Sequence, residues 1–260
     1  MPTIDVNGTT LAYDDSGGPG PAIVFSHSLF FNRRMFDEQT EKFARTHRVV
    51  TYDHRGQGES ARGTGLDMDT LAEDAAALIE ALDLAPCHFV GNSMGGFIAL
   101  RLTARRPELL RSAVAMSSSA DAEGQVENFT ALLDHARKVG VRQTVTALVR
   151  IMFGDTTIAT RPAVLERWRT HLRSLDTAVL DAADAVVHRE GVLGELVGAT
   201  VPLLILSGAE DRAYSTELSQ RIADTAANAT HVTVAGAGHS LAVEQPVVVN
   251  DHLAEHFAAT

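Results

Sequence analysis

The 260-residue chain has one cysteine, Cys87, so it can neither close an intramolecular disulfide nor build a thiolate metal site. Cys87 lies in the apolar run Pro86-Cys87-His88-Phe89-Val90 and reads as a small core residue. Basic residues are outnumbered, 22 Lys and Arg against 33 Asp and Glu, for a formal net charge of −11. A nucleic-acid partner needs a basic face, so this balance argues against one. No apolar run approaches the roughly 18 residues of a membrane-spanning helix. The start, Met1-Pro2-Thr3-Ile4-Asp5, has neither the basic nor the apolar stretch of a signal peptide. The expectation is a cytoplasmic protein with no membrane partner. A phosphate loop, a dinucleotide fingerprint and a metal-ligand cluster are also missing, so no cofactor and no metal are expected.

Apolar material, in contrast, is ample. The chain is 45% hydrophobic and 21% charged, ordinary for a globular protein, and its length is compatible with one α/β domain. Short apolar runs at Ala22–Phe25, Arg48–Tyr52, Phe89–Val90 and Ala113–Met116 read as buried strands. Helical spacing separates them, as at Leu71, Ala75, Leu78, Ile79 and Leu82, and again from about Met94 to Arg105 before Pro107. Such alternation predicts a mostly parallel, doubly wound sheet with helices on both faces.

From about Ala120 to Ala199 only helical periodicity is found. Phe129, Leu132, Leu133 and Ala136 share one face, as do Val145, Leu148, Val149 and Met152; Leu172, Leu175, Val179 and Leu180 repeat the pattern loosely. A stretch of this length is a helical insertion rather than a loop. Alternation resumes with Leu203–Leu206, a helix over about Thr216–Ala226, the strand His231–Val234 and a helix over about Pro246–Phe257. The expected organisation is a core domain of residues 1–119 and 200–260, with residues 120–199 as a helical cap inserted between two strands.

Gly91-Asn92-Ser93-Met94-Gly95 matches G-x-S-x-G and falls between a predicted strand and a predicted helix, the context in which that motif presents a nucleophilic serine. A serine hydroxyl is a weak nucleophile and needs a base, itself oriented by a carboxylate. Strand Leu203–Leu206 runs into Ser207-Gly208-Ala209-Glu210-Asp211, and strand His231–Val234 runs into Ala235-Gly236-Ala237-Gly238-His239. Ser93, Asp211 and His239 therefore lie in the chain order Ser, Asp, His at the carboxyl ends of parallel strands. Asp211 is preferred to its neighbour Glu210. His27 and His54, also at strand ends, read as loop-shaping hydrogen-bond partners. Two backbone N–H groups are needed for an oxyanion: Met94, which follows the serine, and Leu29, in the loop after Ala22–Phe25.

Together His27-Ser28-Leu29, Asp53-His54-Arg55-Gly56-Gln57-Gly58-Glu59-Ser60, Gly91–Gly96, Gly208–Asp211 and Gly236–His239 resemble the α/β-hydrolase superfamily over essentially the whole chain. Within it the sequence is most similar to 3-oxoadipate enol-lactonase-like hydrolases and small carboxylesterases. The resemblance implies an α/β-hydrolase fold and a serine hydrolase cleaving a small carboxylic ester or lactone through an acyl-enzyme. Three readings stand beside it: a carbon–carbon bond hydrolase of ring-fission products, a cofactor-free perhydrolase, and a hydrolase-like small-molecule receptor. The oxyanion loop departs from the family's pattern, with His27-Ser28 where His-Gly is usual. Phe129, Leu133, Met152, Phe153 and Trp168 are candidate lining residues of the substrate pocket, and Arg33, Arg34, Arg161 and Arg169 candidate partners of a substrate carboxylate. The partner expected is thus a small-molecule ester or lactone; the sequence does not specify an oligomeric state.

Overall fold

A computed structural model describes residues 2–260. Eight strands form one sheet: β1 (Thr3–Val6), β2 (Thr9–Asp15), β3 (Ala22–Ser26), β4 (Arg48–Tyr52), β5 (Cys87–Asn92), β6 (Leu110–Met116), β7 (Leu203–Gly208) and β8 (Ala229–Val234). Their spatial order is β1-β2-β4-β3-β5-β6-β7-β8. β1 and β2 pair antiparallel, as do β2 and β4, and every later pairing is parallel. The central strands β3, β5 and β7 are buried along their whole length, which is why each carries a short apolar run rather than an alternation of apolar and polar residues.

β1 and β2 are two strands the apolar pattern does not announce. They join through Asn7 and Gly8, both at positive φ (44° and 71°), the backbone of a tight two-residue hairpin. Cys87 is fully buried on β5, as its apolar context predicts, and burial pushes its thiol up to about 12.

Strand side chains alternate between two clusters. Val24, Leu203 and Ile205 face the cluster formed with α2 (Met68–Ala81) and α3 (Met94–Arg105). Ile23, Phe25, Leu204 and Leu206 face the other, which α1 (Asp37–Phe43) and the C-terminal helix cover. Between β6 and β7 come five α-helices: α4 (Val126–Val139), α5 (Val141–Met152), α6 (Asp155–Thr160), α7 (Pro162–Ser174) and α8 (Val179–Val187). The loose apolar pattern around Leu175 is the end of α7 and the start of α8, with a turn between them. Leu133, Val145, Leu148, Trp168 and Leu172 from these helices join the same cluster as Ile23 and Phe25. The insertion therefore shares apolar core with the sheet and does not bury its faces only within itself.

After β7 come α9 (Thr216–Thr225), the short α10 (Leu241–Glu244) and α11 (Pro246–Ala258). The chain leaves β3 toward β4 on one side and returns to β5 on the other. That reversal opens a crevice at the carboxyl ends of β3 and β5, where the following loops diverge.

Candidate active site

At the carboxyl end of β5 the chain turns into α3 through Ser93, whose backbone sits at φ 53°, ψ −110°. Only a tightly determined turn holds a residue with a Cβ in that region. The Ser93 N–H donates to Met116 O at 2.8 Å, and its carbonyl accepts from Phe97 N–H at 2.9 Å and Ser118 Oγ at 3.0 Å. The adjoining glycines allow this packing. A Cβ on Gly91 would overlap the Gly95 backbone, and one on Gly95 would overlap the Ser26 carbonyl.

Asp211 follows β7 and His239 follows β8. The His239 Nδ1 lies 3.0 Å from Asp211 Oδ2 and 3.2 Å from Oδ1, and both side chains are buried. Asp211 Oδ1 also accepts from Ala213 N–H (2.8 Å) and Tyr214 N–H (3.1 Å). Burial alone would raise the Asp211 carboxyl; His239 and the two N–H donors outweigh it and hold the group below the usual carboxylate range. Its neighbour Glu210 turns to the inserted helices, where it accepts from Thr156 N–H (2.8 Å) and Thr156 Oγ1 (2.5 Å) at the start of α6.

The loop after β3 runs beside the serine turn. Neither Leu29 N–H nor Met94 N–H has an acceptor among the described residues. Ser28 fills the place where glycine is usual. Its Oγ accepts from Asn92 Nδ2 (2.9 Å), and that amide also donates to His239 O at 2.9 Å. Asn92 thus ties the β3 loop and the histidine loop to the residue before Ser93. Gln57 braces the other side, accepting from Phe30 N–H at 3.1 Å while its Nε2 contacts Met94 Sδ at 3.5 Å.

His27 and His54 shape these loops. His27 Nε2 accepts from His54 N–H (3.1 Å), so the neutral ring donates from Nδ1 to Ser28 O (2.8 Å). Burial lowers His27 to about 4 and holds His54 well below the usual range. The Asp53–Ser60 run is likewise a scaffold. Asp53 accepts from Arg33 N–H (2.7 Å) and Glu59 N–H (2.9 Å), while Gly58, at φ 55°, clears space for its carboxylate.

Glu244 carries no signal in the sequence beyond closing an apolar helix, yet it holds the histidine loop. Its Oε1 accepts from Gly238 N–H (3.1 Å) and Ser240 N–H (2.9 Å), and its Oε2 from Gly154 N–H at 2.8 Å. Burial raises this carboxyl above the usual range.

Ser93 and His239 open onto one cavity of about 60 Å³. Leu29, Phe129, Leu133 and Met152 line it, together with Leu132, Leu148, Ile151, Val186, Val187 and Tyr214. Phe153 and Trp168, expected beside them, lie elsewhere: both pack on Phe31, with ring centroids at 6.1 and 4.4 Å, in the core beneath the insertion. The aromatic face of α7 is turned toward the β3 loop, a rotation that spacing alone does not set. Nor does any of the four candidate arginines line the cavity. Arg33 is buried against Asp14, Asp53 and Glu59, and Arg161 donates to the carbonyls of Val243 and Glu244. Arg34 is exposed, and Arg169 borders a separate groove with Arg142 and Arg150.

Comparison with known proteins places the fold among its relatives. BpoC of Mycobacterium tuberculosis H37Rv, provisionally named a non-heme bromoperoxidase, is 29% identical over 96% of the chain and 98% of its own length. The 3-oxoadipate enol-lactonase 2 of Acinetobacter baylyi is 26% identical over 88% of the chain and 86% of its own. The crystal structure of the enol-lactonase from Burkholderia xenovorans LB400 superposes with a TM-score of 0.92 at 26% identity, covering 99% of this chain and 100% of that one. The model of the alpha/beta hydrolase family matches residues 23–252, which hold β3 to β8 and the inserted helices, and the chain belongs to that family.

Proposed function

We propose that this protein is a serine hydrolase that cleaves a small carboxylic ester or lactone through an acyl-enzyme. The observation that carries the reading is the buried His239–Asp211 pair at 3.0 and 3.2 Å, on the same small apolar cavity as Ser93 in its strained turn. With Nδ1 engaged by Asp211, the free imidazole nitrogen is Nε2, the one a neighbouring serine needs as its base. His239 takes the proton of Ser93 Oγ as that oxygen attacks the carbonyl carbon. The carbonyl electrons move to oxygen, where the uncommitted N–H groups of Leu29 and Met94 stabilise them. Collapse expels the alcohol, which takes the proton from His239. Water then repeats the cycle on the acyl-serine and releases the acid, or the hydroxy acid when the substrate is a lactone. Asp211 stays ionised and steadies the imidazolium.

Residues 120–199 act in this reading as a cap over a core of residues 1–119 and 200–260. Their side chains, with Phe129, Leu133 and Met152 foremost, set the size of the acyl or alcohol group admitted. Lactone hydrolysis is also what the names of the enol-lactonase relatives describe. The likeness to BpoC favours a second reaction at the same serine, in which hydrogen peroxide in place of water releases a peracid.

The test is hydrolysis of p-nitrophenyl esters from acetate to decanoate, with Ser93→Ala alongside. Wild-type turnover should peak at a short acyl chain, and Ser93→Ala should lose about 10⁴-fold or more in kcat, since such residues act as a unit. Undiminished turnover by the folded variant would rule the serine mechanism out. Peracid formation from acetate and peroxide, measured in the same preparations, reports the second reaction.

A further inference from the structure

We infer that the site selects uncharged substrates and that Glu123, held by Arg189 and Tyr214, sets that selection. The inference rests on the ester or lactone reading above and narrows its substrate class. Glu123 is the one acidic side chain among the cavity-lining residues, and no lysine or arginine is among them. A carboxylate on the substrate would enter hydrocarbon walls and meet a carboxylate, without a cation to pair with. Transfer of an unpaired charge into such surroundings is strongly unfavourable.

A cation does lie close by, but it is withheld. Arg189 sits just after α8, buried, with Nη1 2.9 Å from Glu123 Oε2 and 2.8 Å from Val186 O. Its guanidinium stacks over the Phe97 ring at 4.1 Å and the Tyr214 ring at 5.3 Å, while its Nε has no acceptor among the described residues. Tyr214 O–H donates to the same Glu123 oxygen at 2.9 Å, and Gln125 N–H donates to the other at 2.9 Å. Glu123 and Tyr214 border the cavity and Arg189 does not, so the acid and the phenol stand in front of the guanidinium.

This arrangement fixes the sign of two substitutions. Glu123→Gln removes the negative charge and leaves Arg189 as an uncompensated cation behind a neutral wall, which draws an anionic substrate. Arg189→Met leaves the carboxylate uncompensated and repels one more strongly. A purely structural role for the cluster would move neither ratio in a charge-dependent direction.

The experiment compares methyl pentanoate with monomethyl glutarate, where the charge is on the acyl side, and propyl acetate with 3-acetoxypropanoate, where it is on the alcohol side. Acid release at constant pH gives kcat/KM for each. Wild type should favour the neutral member of both pairs by about 100-fold or more, the size expected for about 3 kcal/mol of unpaired-charge burial. Glu123→Gln should narrow at least one ratio by tenfold or more, chiefly through KM for the acidic ester. Arg189→Met should widen it, and decides the matter if Glu123→Gln does not fold. Wild-type ratios within tenfold, or unchanged ratios in a folded variant, overturn the inference while leaving ester hydrolysis standing. If wild type cleaves none of the four esters and a fluorophosphonate fails to label Ser93, the hydrolase reading falls and this one with it.

Discussion

At Ser93, a φ of 53° is a conformation in which a side chain costs energy, and the surrounding contacts hold it there. The same distinction between a residue's type and its setting separates the aromatic and aliphatic candidates of the insertion. Leu133 lines the cavity, whereas Trp168 is packed on Phe31 with 3% of its surface exposed. Trp168→Ala should therefore cost about 3–5 kcal/mol of stability, the range for deleting a buried aromatic. In its folded fraction the ester chain-length profile should stay unchanged. Leu133→Ala should instead move the optimum toward longer acyl chains. Urea titration and the p-nitrophenyl series check both, and a profile shifted by Trp168→Ala alone would place the pocket wall wrongly.

At the scale of elements, the loops gain their order from residues that sit in neighbouring helices. The four-residue α10 ends in Glu244, which reaches back to Gly238 and Ser240 on either side of His239, and across to Gly154 at the head of α6. One carboxylate thus couples the histidine loop to the insertion. Glu244→Ala would strand three buried donors at about 1–3 kcal/mol each. Since a misplacement of about 1 Å can cost 10²-fold, kcat should fall by about that factor with KM little changed. Glu244→Gln keeps an acceptor oxygen and should recover part of the loss in kcat; an Ala variant with wild-type kcat would show that the loop holds without it.

For the molecule as a whole, stability against acid follows from histidines folded in their neutral form. His27 is lowered to about 4 and His54 lies well below its usual range, both through burial, and a histidine in the unfolded chain titrates near 6.5. Between these values the unfolded state binds protons that the native state does not, so stability falls as pH falls. Each such histidine contributes a slope of about 1.4 kcal/mol per pH unit within its window. Urea midpoints at constant ionic strength should be flat above about pH 7 and decline from pH 6 to pH 4.5. A midpoint insensitive to pH over that interval would mean that both rings become protonated in the native state.

What the sequence by itself determined is what depends on local period and chain order. Short apolar runs in β3, β5 and β7, with helical spacing between them, dictate a parallel sheet, because both faces of such strands must be covered. Glycines around Ser93, and an acid and a histidine just past later strands, mark the candidate site because such strands end at one edge. The β1–β2 hairpin escaped the apolar pattern, since Thr3–Val6 is short and largely exposed and bears no apolar run. Tertiary structure alone decided the rest. Which face of α5 or α7 meets the cavity depends on each helix's rotation against the sheet, and so Met152 lines it and Trp168 does not. The bonds from Asn92 to His239, 147 residues apart, and from Gly154 to Glu244, 90 apart, have no local signature. Nor does the pairing of Glu123 with Arg189: only folding brings buried polar groups distant in sequence within reach of each other, where burial makes their bonds obligatory.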